Sequence, residues 1–70
     1  MDFPRALSQV KDGEKFTRQS WFKGTFVMAV YTPYKKDDWV VFFYPINGVR
    51  LPWNPTQNDM FAEDWVAYED

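Results

Sequence analysis

Residues 25–33 read TFVMAVYTP and residues 39–45 read WVVFFYP, and these two stretches decide the fold. Both are rich in β-branched and aromatic residues and both end at a proline, which is typical of β-strands. Alternate residues of a strand point to opposite faces, and here both sets are apolar. A sheet with one face in water should instead be polar on that face. The two stretches therefore predict strands of a sheet with two apolar faces.

Helices are predicted before and after these strands. Asp2 can cap an N-terminal helix, because residues 3–10 place apolar side chains on one face at helical spacing and Gly13 is a typical helix stop. Near the other end, Thr56 is a candidate N-cap with Asp59 three residues later, as in a capping box. We therefore expect an α+β fold, in which an N-terminal helix packs on a small antiparallel β-sheet and one further short helix lies near the C-terminus.

The connection after the second strand carries the most specific local signal. Asn47-Gly48 predicts a two-residue hairpin turn with positive φ at both positions, followed by a short strand within residues 49–53. Such a turn fixes the register of the strands that it joins. Weaker patterns predict extended segments at residues 15–18 and 64–69 and a polar turn at residues 34–38.

Composition excludes several classes of protein. The 70 residues include no cysteine and no histidine, which removes disulfides, thiolate metal sites and a Ser-His nucleophile. A net charge of −2 does not supply the basic surface that DNA or RNA binding needs. No apolar run approaches the roughly 20 residues of a membrane helix, and the first residues lack the pattern of a secretory signal. We expect residues 1–70 to form a single small ligand-binding domain in the cytoplasm, without a cofactor or a membrane.

The size of the chain and the two apolar faces predict self-association. A domain this small is near the limit at which one core stabilises itself, so a partner subunit is a common support. One short helix covers only one face of the predicted sheet, and large exposed apolar patches mark interaction sites. We expect a homo-oligomer, either a dimer or a tetramer. The alternative is that the loops at residues 20–24 and 51–55 fold back over the second face.

The segment NDMFAEDW, residues 58–65, sets three carboxylates among apolar side chains. Asp59 and Glu63 stand four apart and would share a helix face, so they could act as an acid–base pair or hold Mg²⁺. We favour the alternative that Asp59 caps the helix while Glu63 and Asp64 are solvated, because nothing isolates one carboxylate in an apolar pocket. The sequence thus predicts no catalytic residue and no metal ligand. The residues expected to anchor the helix to the sheet are Met60, Phe61 and Trp65.

Aromatic residues in loops predict small-molecule binding. A pocket for a nucleotide-like ligand needs aromatic faces for stacking, a few polar groups, and cations for phosphate. Trp21 and Phe22 lie beside Arg18 and Lys23 and supply this set. Trp53 supplies a second set, because polar residues follow it. These polar residues are Asn54, Thr56, Gln57 and Asn58.

Both ends of the chain resemble a known family. Residues 1–21, MDFPRALSQVKDGEKFTRQSW, resemble its opening pattern: a helix with Phe and Ala-Leu, a Lys-x-Gly turn, and a strand ending Arg-x-x-Trp. Residues 48–65, GVRLPWNPTQNDMFAEDW, resemble its closing signature of Pro-Trp, a Ser/Thr-Gln-x-Asp-Met turn and Ala-x-Asp-Trp. The family is that of the Thoeris anti-defence two proteins, small proteins of phages and prophages.

This resemblance implies a function. Members of the family are sponges that bind and sequester glycocyclic ADP-ribose, the cyclic nucleotide signal that a bacterial TIR-domain protein makes on infection, and they do not degrade it. They assemble as tetramers with ligand pockets at subunit interfaces, and some also bind cyclic oligonucleotides at a separate site. The resemblance therefore implies an anti-defence sponge in the host cytoplasm rather than an enzyme. Members commonly carry a longer insertion where this chain has only residues 32–38.

The resemblance also implies roles for individual residues. The two tryptophans that match its motifs would enclose base and ribose, while Arg18 would face phosphate or brace the loop. Residues 57–59 would hydrogen-bond to hydroxyl groups and to the edge of the base. Together with the argument from residue types, this gives the predicted ligand-binding residues Arg18, Trp21, Phe22, Trp53, Thr56, Gln57, Asn58 and Asp59.

Two other functions stay open at this point. The same scaffold could sequester a cyclic di- or trinucleotide signal of another defence system. A function of another class is also compatible with the sequence: a protein–protein inhibitor, or a phage structural subunit, that uses the apolar sheet face to bind a protein partner. Retention of an intact nucleotide distinguishes the two sponges from this third function.

Overall fold

The computed structural model describes residues 1–31 and 39–69, which form two helices and one five-stranded antiparallel sheet. The sheet order is β4-β3-β2-β1-β5. The predicted α+β fold is confirmed; the polar turn predicted at residues 34–38 lies outside the described residues. The elements are α1 (Phe3–Lys11), β1 (Phe16–Arg18), β2 (Phe26–Tyr31), β3 (Trp39–Tyr44), β4 (Leu51–Pro52), α2 (Gln57–Phe61) and β5 (Trp65–Ala67).

Helix α1 begins and ends as its sequence predicts. The Asp2 side chain accepts a hydrogen bond from the Arg5 amide, which satisfies one of the free donors at the helix N-terminus. Gly13 follows the helix with a φ of +94°, a conformation that costs a glycine little. Ala6 and Val10 are buried on the face that meets the sheet. No helix in the described ranges is long and apolar enough to cross a membrane.

The core lies between α1 and one face of the sheet. Strands β2 and β3 pair along their whole length, from Phe26 opposite Tyr44 to Tyr31 opposite Trp39. Strand β1 joins β2 to β5, so the last strand of the chain lies beside the first. The buried apolar residues of this core are Ala6, Val10, Phe16, Val27, Ala29 and Trp65.

The second face of the sheet is also apolar, as predicted. We define this outer face by Phe26, Met28, Val30, Phe42 and Tyr44, which alternate with the core positions of β2 and β3 and are half-buried. The Phe26 ring stacks on the Tyr44 ring with 4.8 Å between centroids. The outer face is therefore a continuous aromatic and aliphatic surface.

The alternative to self-association was that the loops at residues 20–24 and 51–55 cover the outer face. The tryptophans of these loops do not lie on that face. Trp21 and Trp53 both pack their rings against Trp65, which is buried beneath α1. At these two residues the alternative is wrong. The reason is that aromatic rings gain more from the core on the helix side, where other rings already lie.

The hairpin predicted at Asn47-Gly48 is wrong in its register. Gly48 does not adopt a positive φ, so the expected two-residue turn does not form. Such a turn would pair Phe43 with Pro52, whereas the structure pairs Phe43 with Leu51. The strands are displaced by one residue and are joined by a longer loop.

Packing of Trp53 explains this register. Its amide donates a 2.9 Å hydrogen bond to the carbonyl of Val41, which places the indole on the core side of the sheet. There the indole contacts the ring of Trp65, with 5.8 Å between centroids. A displacement of one residue would turn Trp53 to the outer face. Burial of one large ring thus outweighs the local turn preference.

Candidate ligand-binding site

Arg18 holds two carboxylates that come from different parts of the chain. Its Nη1 donates to Asp59 Oδ1 at 3.0 Å and its Nε donates to Asp64 Oδ1 at 2.9 Å. The other oxygen of Asp64 accepts a bond from the Ser20 amide. These bonds lower the pKa of Asp64 and raise the pKa of the guanidinium, chiefly through the hydrogen bond that the two share. Arg18 therefore ties α2 and the start of β5 to β1.

Asp59 also organises the start of α2. Its amide donates to the Thr56 hydroxyl at 3.1 Å, and its Oδ2 accepts from the Thr56 amide at 3.0 Å, which completes the predicted capping box. The Asp59 carbonyl accepts a 3.0 Å bond from the indole N–H of Trp65. Asp59 is only 7% exposed, so these bonds compensate for its loss of water.

Two tryptophans lie side by side above this network. The Trp21 ring meets the Trp65 ring edge-on with 5.2 Å between centroids, and it meets the Trp53 ring at 6.4 Å. Edge-on pairs of this kind stabilise aromatic clusters by about 0.5–1.5 kcal/mol beyond their burial. Both indoles are half-buried, so each belongs partly to the core and partly to the surface.

A groove of about 460 Å³ is lined by both of these indoles. We call it the aromatic groove; its walls include Trp21, Phe22 and Trp53, and its polar lining includes Thr56 and Asp59. These five are among the eight residues predicted to bind a ligand, and the structure brings them together. The volume is within the usual range for small-molecule sites, roughly 300–1,000 Å³.

A second groove of about 260 Å³ adjoins the first, because both are lined by Trp21 and Phe22. We call it the polar groove; its charged lining residues are Arg18, Lys23 and Glu69. Sequence reasoning did not place Glu69 in a site. No local motif marks this residue, and it reaches the groove only because β5 pairs with β1.

Phe22 lines both grooves, and its side chain is 82% exposed. Its backbone is nevertheless held, since the Phe22 carbonyl accepts bonds from the Thr25 hydroxyl at 2.7 Å and from the Thr25 amide at 3.2 Å. Gly24, with a φ of +97°, permits this tight turn. The structure therefore presents an apolar ring to solvent from a fixed support.

Two of the eight predicted residues, Gln57 and Asn58, lie outside both grooves. Both are exposed on the first turn of α2, and neither lines the two grooves. The expected anchoring of α2 by Met60 and Phe61 is wrong, because their side chains are 42% and 82% exposed. The helix is held instead through Asp59, which bonds to Arg18 and to the buried Trp65.

Two predictions about the carboxylates are wrong. Helix α2 ends at Phe61 and Ala62 is extended, so Asp59 and Glu63 do not share a helix face. Asp64 is not simply solvated, since it is paired with Arg18. Within residues 1–31 and 39–69, no group of three or more acidic, histidine or cysteine side chains is placed to hold a metal ion.

Comparison with known proteins identifies the family. The family model of the Thoeris anti-defense 2-like domain matches residues 1–68, which is all but the last two residues of the chain. A comparison with curated proteins finds no match. The family match agrees with the resemblance of both chain ends, and it extends across the central strands as well. The chain therefore belongs to the Thoeris anti-defense 2-like family.

Proposed function

We propose that this protein is an anti-defence sponge, which binds and sequesters glycocyclic ADP-ribose made by a TIR-domain protein and does not degrade it. Membership of the Thoeris anti-defense 2-like family supports the anti-defence role. The choice of ligand rests on the aromatic groove and on the resemblance of residues 1–21 and 48–65. The host cytoplasm, where the defence signal is made, is the proposed site of action.

The aromatic groove is the observation that carries this proposal. It presents two indoles, a phenyl ring and hydrogen-bonding groups of Asn54, Thr56 and Asp59 around one space. Stacking of a base on an aromatic side chain contributes about 1–3 kcal/mol. The Asn54 amide and the Thr56 hydroxyl can hydrogen-bond to ribose hydroxyls and to the edge of the base. This combination suits a base joined to ribose.

The charge network supports binding rather than conversion of the ligand. The Asp59 and Asp64 carboxylates are both engaged by Arg18, and the lowered pKa of Asp64 keeps this carboxyl ionised at neutral pH. A general acid at neutral pH needs the opposite shift. We therefore assign these carboxylates to organising the site rather than to proton transfer.

Self-association through the outer face is part of the proposal. The outer face has the size of two six-residue strands and is rich in aromatic and aliphatic side chains. Lys15 lies over the Phe26 ring and Arg50 over the Phe42 ring, so each of these two rings of the outer face is in contact with a cation. A sheet face this rich in apolar side chains is typical of an interaction site. We propose a dimer or tetramer.

The experiment is to load the purified protein, release whatever it binds, and identify the released compound. The protein is incubated with glycocyclic ADP-ribose or with lysate of infected cells that produce it, washed, and denatured, and the supernatant is analysed by mass spectrometry. The sponge predicts release of intact glycocyclic ADP-ribose, with saturation at a fixed ratio per subunit. Phe61→Ala, which changes an exposed ring outside both grooves, is the matched control and should release the same amount.

Other outcomes decide between the alternatives. Release of a chemically changed nucleotide would identify an enzyme and contradict the proposal. Release of a cyclic di- or trinucleotide from lysate would identify a sponge for another defence system. If neither purified ligand nor lysate yields any nucleotide, the sponge function is excluded. The apolar outer face would then support binding of a protein partner.

A further inference from the structure

The two grooves differ in charge although they share a wall. In the described part of the chain, the charged residue that lines the aromatic groove is Asp59, an anion. The polar groove is lined by Arg18 and Lys23 as well as by Glu69. A ligand that carries both a neutral ring and a phosphate would therefore meet different surroundings in the two grooves.

The aromatic groove is unfavourable for phosphate. A phosphate beside the Asp59 carboxylate would place like charges close together in a partly desolvated space, where their repulsion is strong. The Arg18 guanidinium offsets the charge of Asp59, but it bonds to Asp64 as well. The two carboxylates that pair with Arg18 carry two negative charges, which exceed its single positive charge. Base and ribose fit this groove better than phosphate does.

Lys23 is the cation that remains available in the polar groove. It is exposed, and it forms no ion pair with any residue in the ranges 1–31 and 39–69. It follows Phe22 directly on the turn that Thr25 fixes, so its backbone position relative to the aromatic groove is set by the same hydrogen bonds. A flexible lysine on a fixed turn can reach an anion that projects over the Phe22 ring.

From these observations we infer that the two grooves form one divided site. The base and ribose of the ligand lie in the aromatic groove, its phosphates lie in the polar groove beside Lys23, and the Phe22 ring packs between the two parts. This inference rests on the proposed function, because it assumes a nucleotide ligand. It also assigns the phosphate contact to Lys23 and not to Arg18, which instead holds the carboxylates of Asp59 and Asp64 in place.

The divided site also predicts that Glu69 affects ligand affinity in the direction opposite to Lys23. Its carboxylate lines the polar groove and would repel a phosphate bound there. Removal of the Lys23 charge should therefore weaken binding, while removal of the Glu69 charge should strengthen it. A site with its phosphates elsewhere would show neither effect. Opposite changes from two neighbouring substitutions are hard to produce by general loss of structure.

The test is calorimetric titration of the full chain with glycocyclic ADP-ribose, at low and at moderate salt. Lys23→Gln should weaken binding by about two- to fivefold, and Glu69→Gln should tighten it by a similar factor, as expected for exposed charge pairs. Lys23→Arg, which keeps the charge, should stay within about twofold of the unchanged protein. Lys11→Gln, which removes an exposed charge from α1, is the matched control and should also stay within about twofold.

Salt dependence is the second readout. The unchanged protein should lose affinity as salt rises, and Lys23→Gln should lose less, because one phosphate contact is already absent. If Lys23→Gln and Lys11→Gln bind the ligand equally well, the phosphates do not lie in the polar groove and the inference is overturned. If the unchanged protein does not bind the ligand at all, the proposed function fails first and the divided site fails with it.

Discussion

Arg18 donates a 3.0 Å hydrogen bond to the carboxylate of Asp59, although the two residues lie 41 positions apart in the chain. Because Asp59 also closes the capping box with Thr56, this one contact fastens the short helix α2 to strand β1. The exposed Met60 and Phe61 contribute little to that attachment. One side of the aromatic groove is thus held in place by an ion pair.

The first prediction concerns this ion pair. Arg18→Met would leave the Asp59 carboxylate nearly buried without its cation, and the free energy of unfolding should fall by about 2–4 kcal/mol. Urea denaturation at one fixed subunit concentration measures the loss. Arg5→Met removes an exposed guanidinium from α1 and should cost less than about 0.5 kcal/mol. Equal losses in the two variants would mean that the Arg18 pair adds no stability.

The second prediction concerns acid. Hydrogen bonding to Arg18 lowers the pKa of Asp64 in the folded protein below its ordinary value of 3.8. The unfolded chain therefore takes up this proton first as the pH falls. The stability that Asp64 contributes is complete well above pH 3.8 and is lost as the pH falls through the folded pKa.

Asp64→Asn should accordingly be less stable at neutral pH and should show a flatter decline as the pH falls below about 4. Thermal unfolding followed by circular dichroism across this range measures both effects. Glu63→Gln, which changes a neighbouring exposed carboxylate, should leave the decline as it is. Parallel curves for Asp64→Asn and the unchanged protein would remove Asp64 from the acid response.

Local signals predicted the parts of the fold that depend on neighbours in the sequence. The caps at Asp2 and Thr56 each use a partner three positions away, so sequence reasoning could identify them. The register of β3 and β4 depends instead on where Trp53 finds other rings, and that is decided by the whole core. The turn signal at Asn47-Gly48 was therefore misleading.

Only part of the candidate site was predicted from the sequence, as was the case for the fold. Trp21 and Trp53 were predicted to belong to two separate sets of ligand-binding residues, and the structure places their rings 6.4 Å apart beside one groove. The partners of Arg18 were not predictable, since Asp64 lies 46 positions away and no spacing links them. Glu69 was missed for the same reason. Pairings between distant strands bring such residues together, and a single sequence carries no direct record of them.

The third prediction separates the buried and exposed aromatic residues near α2. Trp65 is 1% exposed and its indole bonds to Asp59, so Trp65→Ala should lower the free energy of unfolding by about 3–5 kcal/mol. In a domain of this size that loss would leave much of the protein unfolded. Phe61→Ala should cost less than about 0.5 kcal/mol, because its ring is exposed. A large loss from Phe61→Ala would show that the ring is covered in solution.

The fourth prediction concerns Trp21. Trp21→Ala removes one wall of the aromatic groove and should weaken binding of glycocyclic ADP-ribose by at least about tenfold. It should also lower the free energy of unfolding by about 2 kcal/mol, because the half-buried ring packs against Trp65. Trp21→Phe, which keeps an aromatic wall, should retain more of both properties. Calorimetry and urea denaturation measure them, and unchanged affinity in Trp21→Ala would place the ligand outside the aromatic groove.

The fifth prediction concerns the outer face. Met28 lies at the centre of this face, opposite Phe42, so Met28→Glu would place a charge inside the proposed interface. Burying a charge there should shift the protein from dimer or tetramer toward monomer, since it costs several kcal/mol unless the charge is fully paired. Light scattering coupled to size-exclusion chromatography measures the mass. Ser8→Glu adds the same charge to the exposed side of α1 and should leave the mass unchanged. If Met28→Glu keeps the mass of the unchanged protein and remains folded, the subunits meet elsewhere, and the outer face is free for another partner.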